Sequence, residues 1–245
     1  MNASETIVLI TGVSREQGLG YGLAQAMVSQ GFTVVITARQ GEQAEALGKK
    51  IATSHSTLQT HALDITQDSS VKALVRFVQS TFGRLDVLIN NAGGSLDYGI
   101  HPLETDFEVT RQALETNLFG AWRMVQHFYP LLKQSKHGRI VNVSSGAGSF
   151  QDPNFGLAVH PAVVTSYGIS KLALNGLTVK LARQLKDDGI LVNSVDPGLV
   201  ATADGMKEMG ARPVSEAVNG ILWAATLPND GPSGGFFRDR QPLAW

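Results

Sequence analysis

Thr6-Ile7-Val8-Leu9-Ile10-Thr11 runs straight into Gly12-Val13-Ser14-Arg15-Glu16-Gln17-Gly18-Leu19-Gly20, and this junction decides the architecture. The first six residues form a short continuous apolar run, the pattern of a strand buried on both faces. Gly20 to Gln30 then has helical periodicity and stops at Gly31, which suits a left-handed cap. Strand, glycine-rich turn and helix together make the first half of a βαβ unit. The same alternation continues down the chain. Strands are predicted at Phe32 to Ala38, Leu58 to Leu63, Leu85 to Asn90, Arg139 to Val143 and Leu191 to Val195, with a last short one at Gly234 to Phe237. Helices are predicted at Glu42 to Thr53, Ser69 to Phe82, Asp106 to Gln134, Ala162 to Lys186 and Val214 to Leu227. Repeated βα units with continuous apolar strands imply an α/β fold: a doubly wound parallel sheet of about seven strands with helices on both faces. No internal repeat or Pro/Gly/Ser-rich linker divides the chain, so one domain is expected over residues 1–245. Two stretches read as functional loops, Ser145 to Thr165 with Pro153 and Pro161, and Pro197 to Pro213.

Composition narrows the function classes. Hydrophobic residues make up 43% of the 245 and charged residues 17%, enough to bury a sizeable core. The net charge of −1, without a basic block, argues against nucleic acid as the partner. There is no cysteine, and the six histidines show no metal-ligand spacing, so no metal site is expected. The N-terminus lacks a basic leader, and no apolar stretch approaches the roughly 20 residues of a membrane span. The expectation is a cytoplasmic protein without membrane or nucleic-acid partners.

The turn after the first strand is a candidate cofactor site. Glycines there allow a tight turn and close approach of a pyrophosphate, which then sits at a helix N-terminus. Gly12, Ser14, Arg15, Gly18, Leu19 and Gly20 are its candidate residues, although the gap from Gly12 to Gly18 is longer than in the G-x-G-x-x-G fingerprint. An acidic residue at the end of the second strand would bind a ribose 2′-hydroxyl and favour NAD. That strand ends Thr37-Ala38-Arg39 instead. A guanidinium pairs well with phosphate, so Arg39, with Arg15 as a second cation, favours NADP(H).

Tyr167 and Lys171 lie four residues apart in Ser166-Tyr167-Gly168-Ile169-Ser170-Lys171 and share one helical face. A fixed cation beside a phenol favours the phenolate, so a lowered tyrosine pKa is expected. The pair alone is weak evidence. Its weight comes from an ordered set of motifs by which the chain resembles the short-chain dehydrogenase/reductase family, which has a Rossmann-like fold. These are the glycine loop Thr11 to Gly20, Leu63-Asp64-Ile65, Asn90-Asn91-Ala92-Gly93, Asn117 in Glu115 to Gly120, Val141 to Ser145, Tyr167-x3-Lys171 and Asp196-Pro197-Gly198.

The resemblance implies roles. Tyr167 is the proton donor in carbonyl reduction, Lys171 lowers its pKa and bonds the nicotinamide ribose, Ser145 polarises the carbonyl, and Asn117 holds a water of the proton relay. Asp64 and Ile65 meet the adenine, and Asn91, Ala92 and Gly93 border the cofactor. Pro197, Gly198, Val200 and Thr202 cover the nicotinamide. Ser145 is preferred to Ser144 because Ser145-Gly146-Ala147-Gly148 continues as S-x-x-G. The long glycine loop and Gly20 to Ala24 are similar to enoyl-acyl-carrier-protein reductases, but those carry tyrosine and lysine seven apart. The insertion before Tyr167 and the closing Gly234 to Asp239 resemble carbonyl reductases.

The implied activity is NADPH-dependent reduction of a ketone or aldehyde. Enoyl or imine reduction and a catalytically silent NADP(H) sensor are the alternatives. Three mostly apolar loops, Gly94 to His101, Gly146 to His160 and Leu199 to Arg212, suit a hydrophobic carbonyl substrate. Phe150, Phe155, Leu157, Leu199 and Met206 are candidates to line its pocket or simply to pack beneath the loops, and His160 is either a group acting near the substrate or an incidental loop residue. A homo-oligomer through the helices around Asp106–Gln134 and Ala162–Lys186 is possible, as is a monomer kept so by the long loop.

Overall fold

The structure is a computed structural model that describes residues 2–54, 57–94, 97–159 and 164–245. Seven parallel strands are Ile7–Ile10 (β1), Thr33–Ala38 (β2), Leu58–Ala62 (β3), Val87–Asn90 (β4), Arg139–Val143 (β5), Leu191–Val195 (β6) and Phe236–Arg238 (β7). An eighth, Gln241–Pro242 (β8), pairs antiparallel with β7, so the sheet gains one short edge strand beyond the parallel seven expected. The order is β3-β2-β1-β4-β5-β6-β7-β8. It reverses between β1 and β4, the switch point outside which ligands bind in open α/β sheets.

The continuous apolar strands are explained by burial on both faces. In β1, Val8 and Ile10 point into one core with helix Leu19–Ser29 (α1), helix Gly41–Ile51 (α2) and helix Val214–Ala225 (α7). Ile7 and Leu9 point into the other, with helix Asp68–Phe82 (α3), helix Ala121–Leu132 (α5) and the C-terminal part of helix Thr165–Gln184 (α6). Alternate residues serve opposite layers, so neither face leaves a polar period in the sequence.

Two helices differ from expectation. The long one from Asp106 is three pieces: Phe107–Leu114 (α4), a π-helical turn at Glu115–Gly120, and α5. A periodicity reading cannot find such a turn, because one extra residue per turn barely disturbs the apolar stripe. Gly120 ends it where a Cβ would lie 2.6 Å from Ile65 Cδ1. The last long helix begins at Thr165; His160, Pro161 and Ala162 lie outside the described residues. Gly31 takes φ +85°, as its role after α1 requires.

One polar row crosses the interior. Asn90, Asn142 and Ser194 are in register on β4, β5 and β6. Asn90 Nδ2 donates to Asn142 Oδ1 at 2.8 Å, Asn142 Nδ2 donates to Thr178 Oγ1 at 2.8 Å, and Thr178 and Ser194 share a 2.8 Å hydroxyl bond. This row ties α6 to the sheet just below its carboxyl edge.

Candidate active site

A cleft of about 1480 Å³ opens along that edge. Every residue proposed above to bind cofactor lines it: Gly12, Ser14, Arg15, Gly18, Leu19, Gly20, Arg39, Asp64, Ile65, Asn91, Ala92, Gly93, Tyr167, Lys171, Pro197, Gly198, Val200 and Thr202.

The floor depends on backbone contact. Gly12 has φ +75°, and a Cβ there would lie 2.6 Å from Ala92 Cα. At Gly20 a Cβ would lie 2.6 Å from Asn91 Nδ2, which itself donates to the Thr11 and Gly12 carbonyls at 2.8 and 3.2 Å. Thr11 Oγ1 in turn accepts from Asn91 N and Ala92 N. The glycine loop and the end of β4 are thus one clamped unit. Gly18 stands at the N-cap of α1 with no side-chain cap, which leaves the positive end of the helix facing the cleft. At the rim, Arg15 and Arg39 are exposed, and among the described residues neither guanidinium has a hydrogen-bonding or ion-pair partner. Asp64 is half-buried and accepts from both Thr66 N and Thr66 Oγ1, at 2.9 and 2.7 Å. Glycines, an open helix terminus and two unpartnered cations fit an extended anionic dinucleotide.

The chemical groups gather at the other end. Lys171 is buried and its Nζ donates to Val143 O at 2.7 Å, with the ammonium 5.5 Å from the Tyr167 ring centroid. The Tyr167 hydroxyl hydrogen-bonds Ser145, whose Oγ also accepts from Ala147 N at 3.2 Å. Ser144 Oγ instead donates to buried Asn175 Oδ1 at 2.7 Å, so its hydroxyl is held within the fold. Asn117, inside the π-turn and 1% exposed, brackets Gly94. Its Oδ1 accepts from Gly94 N at 3.1 Å, and its Nδ2 donates to Gly94 O at 3.2 Å and to Ser170 Oγ at 2.9 Å. A Cβ on Gly93 would stand 3.2 Å from Asn117 Oδ1 and 3.7 Å from Lys171 Nζ, so only a glycine separates the two.

The electrostatics correct one expectation. Burial pushes the Tyr167 phenol up to about 12, against the Ser145 hydrogen bond, and the Asp196 and Tyr98 charges push the same way. Burial also brings Lys171 down to about 8, with Asp196 opposing. Desolvation therefore decides the phenol, with the Ser145 hydrogen bond as the one opposing influence. In this state the pair is a protonated phenol beside an ammonium that holds its proton below about pH 8.

Other expectations fall differently. Phe150, Phe155, Leu157, Leu199 and Met206 do not line the cleft. Leu157 packs toward Gly168, while Phe150 and Phe155 are exposed. His160 lies outside the described residues. Among the described residues no cluster of His, Cys, Asp or Glu is placed to hold a metal, and no helix is long and apolar enough to cross a membrane.

Two contributors escaped the sequence reading. Asp97 accepts from Ser166 N at 2.6 Å and Tyr167 N at 3.3 Å, capping α6 from a distant loop. Gln43 Nε2 donates to Ser14 O at 2.7 Å and steadies the glycine loop from α2. Neither has a local signal, because each acts on a segment far away in sequence.

Known proteins resemble this chain in sequence and share this fold. The chain is 38% identical over 232 residues to the short-chain dehydrogenase anuI of Penicillium roqueforti, covering 87% of this chain and 88% of that one. It is 30% identical over 285 residues to carbonyl reductase [NADPH] 3 of Rattus norvegicus, covering both in full. The fold superposes on the crystal structure of a metagenomic short-chain oxidoreductase in complex with NADP with a TM-score of 0.79 at 27% identity, covering 97% of this chain and 99% of the other. Residues 6–212 match the family model described as short chain dehydrogenase. With sheet order, motif placement and these likenesses in agreement, the chain belongs to the short-chain dehydrogenase/reductase family.

Proposed function

We propose that the protein is an NADPH-dependent carbonyl reductase that converts a hydrophobic ketone or aldehyde to the alcohol. The observation that carries this is one cleft with two unpartnered guanidinium groups at one end and Tyr167 and Lys171 at the other, with Ser145 hydrogen-bonded to the Tyr167 hydroxyl. Arg15 and Arg39 hold the adenosine phosphate, the α1 N-terminus holds the pyrophosphate, and the clamped Asn91–Gly93 turn sits beside the ribose. When bound, the nicotinamide supplies the hydride. Ser145 and Tyr167 both donate hydrogen bonds to the carbonyl oxygen, and Tyr167 gives its proton as negative charge develops there. Lys171, fixed by Val143 O, steadies the phenolate that remains. Proton return from solvent runs to Lys171 past Asn117, its neighbour across Gly93.

Exposed apolar side chains on two neighbouring loops, Tyr98 after β4 and Met209 after β6, support an apolar substrate. Phe119 and Trp122 on the π-turn and α5, with Ile169 and Val179 on α6, are also exposed and support self-association through those helices. Light scattering after gel filtration tests that point.

The functional test is a panel of ketones and aldehydes assayed with NADPH and NADH in parallel, for the native chain and Tyr167→Phe. The variant should bind NADPH normally and lose about 10²–10⁴-fold in kcat, the usual scale of one general acid. Normal turnover by the variant refutes the mechanism. Reduction of C=C in an α,β-unsaturated ketone would mark an enoyl reductase, and tight NADPH binding without turnover on the whole panel would mark a sensor.

A further inference from the structure

The closing motif Gly234 to Asp239 has no part in the mechanism above, yet its arginine lies under the active site. Arg238, the last residue of β7, donates from Nε to Asp196 Oδ2 at 2.6 Å, and its Nη2 bonds both Asp196 and Asp152. Both carboxylates are buried, Asp152 at 1% and Asp196 at 3% exposure. Each organises a separate loop. Asp152 Oδ1 accepts from Asn154 N and Phe155 N at 2.9 and 2.7 Å, shaping the stretch after Ser145. Asp196 Oδ1 accepts from Gly198 N at 2.8 Å, shaping the stretch that covers the nicotinamide end of the cleft. The guanidinium also presses on the turn that carries Ser145: a Cβ on Gly146 would lie 2.5 Å from Arg238 Nη2 and 2.8 Å from Asp152 Oδ2.

We propose that Arg238 is a positioning residue of the catalytic centre, joining the Ser145 loop to the Asp196-Pro197-Gly198 loop and pairing with the Asp196 carboxylate near Tyr167 and Lys171. The proposal rests on the catalytic reading of Tyr167 and Lys171. A planar guanidinium is suited to bridging two carboxylates, which an ammonium does less well. Without it, two buried carboxylates would face each other and one would take up a proton.

The charge matters because Asp196 acts on both members of the pair. It raises the pKa of Lys171 against burial and adds to the rise at Tyr167. Asp196 itself lies above its ordinary value, lifted by burial and by the Asp152 charge, and Arg238 and the Gly198 N–H hold that lift down. The groups facing this network come from every neighbouring element. They are Asp152 on the loop after β5, Asp196 after β6, Tyr167 and Lys171 on α6, Tyr98 on the loop after β4, and Arg212, Asp239 and Glu216 around the mouth. Arg212 and Asp239 pair with each other, Nη2 to Oδ2 at 2.9 Å, and so leave Arg238 as the cation between the two buried acids.

The test is the pH profile of kcat for carbonyl reduction in the native chain, Arg238→Met, Arg238→Lys and the isosteric Asp196→Asn, with Tyr167→Phe as control. Loss of the Asp196 charge should move the alkaline limb to lower pH by about half a unit or more in Asp196→Asn and Arg238→Met. Arg238→Met should also lose about tenfold or more in kcat at pH 6 as the Ser145 loop loosens. Arg238→Lys should keep the limb in place, since it keeps the charge. Should Arg238→Met not fold, the contrast between Asp196→Asn and Arg238→Lys decides. Native-like limbs in Asp196→Asn and Arg238→Met, with kcat within about twofold, overturn the proposal. If those variants are native-like while Tyr167→Phe is inactive, only the Arg238 proposal falls. If Tyr167→Phe turns over normally, the catalytic reading itself falls.

Discussion

Asp97 gives the sharpest test of how this site is held. Helix α6 starts after Val164, which offers no side-chain cap, so the first-turn amides have no local acceptor. Asp97, 3% exposed on the loop after β4, accepts from Ser166 N and Tyr167 N at 2.6 and 3.3 Å. It caps the helix from about seventy residues away and bonds the backbone of the proposed proton donor. Asp97→Ala removes a cap worth about 0.5–2 kcal/mol and leaves buried donors unsatisfied at about 1–3 kcal/mol. The net loss should be about 3 kcal/mol, which for a chain of this size lowers Tm by roughly 6–12 °C. Asp97→Asn keeps an acceptor but loses the charge at the helix N-terminus, so it should recover roughly half. Thermal unfolding by circular dichroism measures the shift. Turnover should fall in the same order, Ala below Asn below native, because Tyr167 shifts with its helix. A Tm within about 1 °C of native for Asp97→Ala, with unchanged kcat, would refute the reasoning.

Three other substitutions or conditions probe separate parts. Arg39→Ala should lower kcat/KM for NADPH by about 10–100-fold while leaving NADH within a few-fold, because only the cofactor with a 2′-phosphate loses a charge-assisted bond; equal losses with both would remove Arg39 from cofactor choice. Reduction needs Lys171 charged and Tyr167 protonated, so kcat should be level below about pH 8 and fall above it as Lys171 loses its proton; a limb near the ordinary lysine value would contradict the burial effect. The folding linkage has its own sign. The unfolded chain binds more protons at this lysine above about pH 8, so its contribution to stability rises from there toward its ordinary value of 10.5. Ser145→Ala should cost about 10²–10³-fold in kcat. Ser144→Ala should instead cost about 1–3 kcal/mol by leaving buried Asn175 short of a donor, with kcat nearly kept; the reverse pattern would exchange the two serines' roles.

Much of this molecule was readable from local pattern. The β5 and β6 boundaries match residue for residue, because short β-branched, fully buried stretches mark both strands despite their interior Asn and Ser. The floor of the cleft was readable because glycines at Gly12 and Gly20 answer to contacts that a Cβ would break. What stayed hidden was non-local or isotropic. The π-turn around Asn117 changes backbone pitch without changing the apolar stripe. Edge strand β8 is two residues long and exposed, so it has no hydrophobic signature. Asp97 and Arg238 are single charged residues whose partners lie on other segments, and no spacing rule links them. The rise of the Tyr167 pKa was hidden for another reason: sequence shows the neighbouring lysine but not the burial that opposes it.

That burial bears on what the pair does best. At pH 7 a phenol with a pKa of about 12 holds its proton firmly, and removing it costs roughly 7 kcal/mol. As a base for alcohol oxidation, Tyr167 would start with that penalty. As a donor to a carbonyl it starts in the required state, and the penalty is met only as charge builds on the substrate oxygen. Ser145 already lowers the phenol through its hydrogen bond, and Lys171 waits 5.5 Å from the ring centroid to steady the phenolate as it forms. Asp196 works against ionisation of Tyr167 while it helps Lys171 keep its proton. One buried carboxylate thus favours the same protonation state at both residues, phenol and ammonium, which is the state that carbonyl reduction consumes. On the proposed mechanism the charge distribution suits the free protein to proton donation, and it does so through a residue just after β6 that need not touch the substrate.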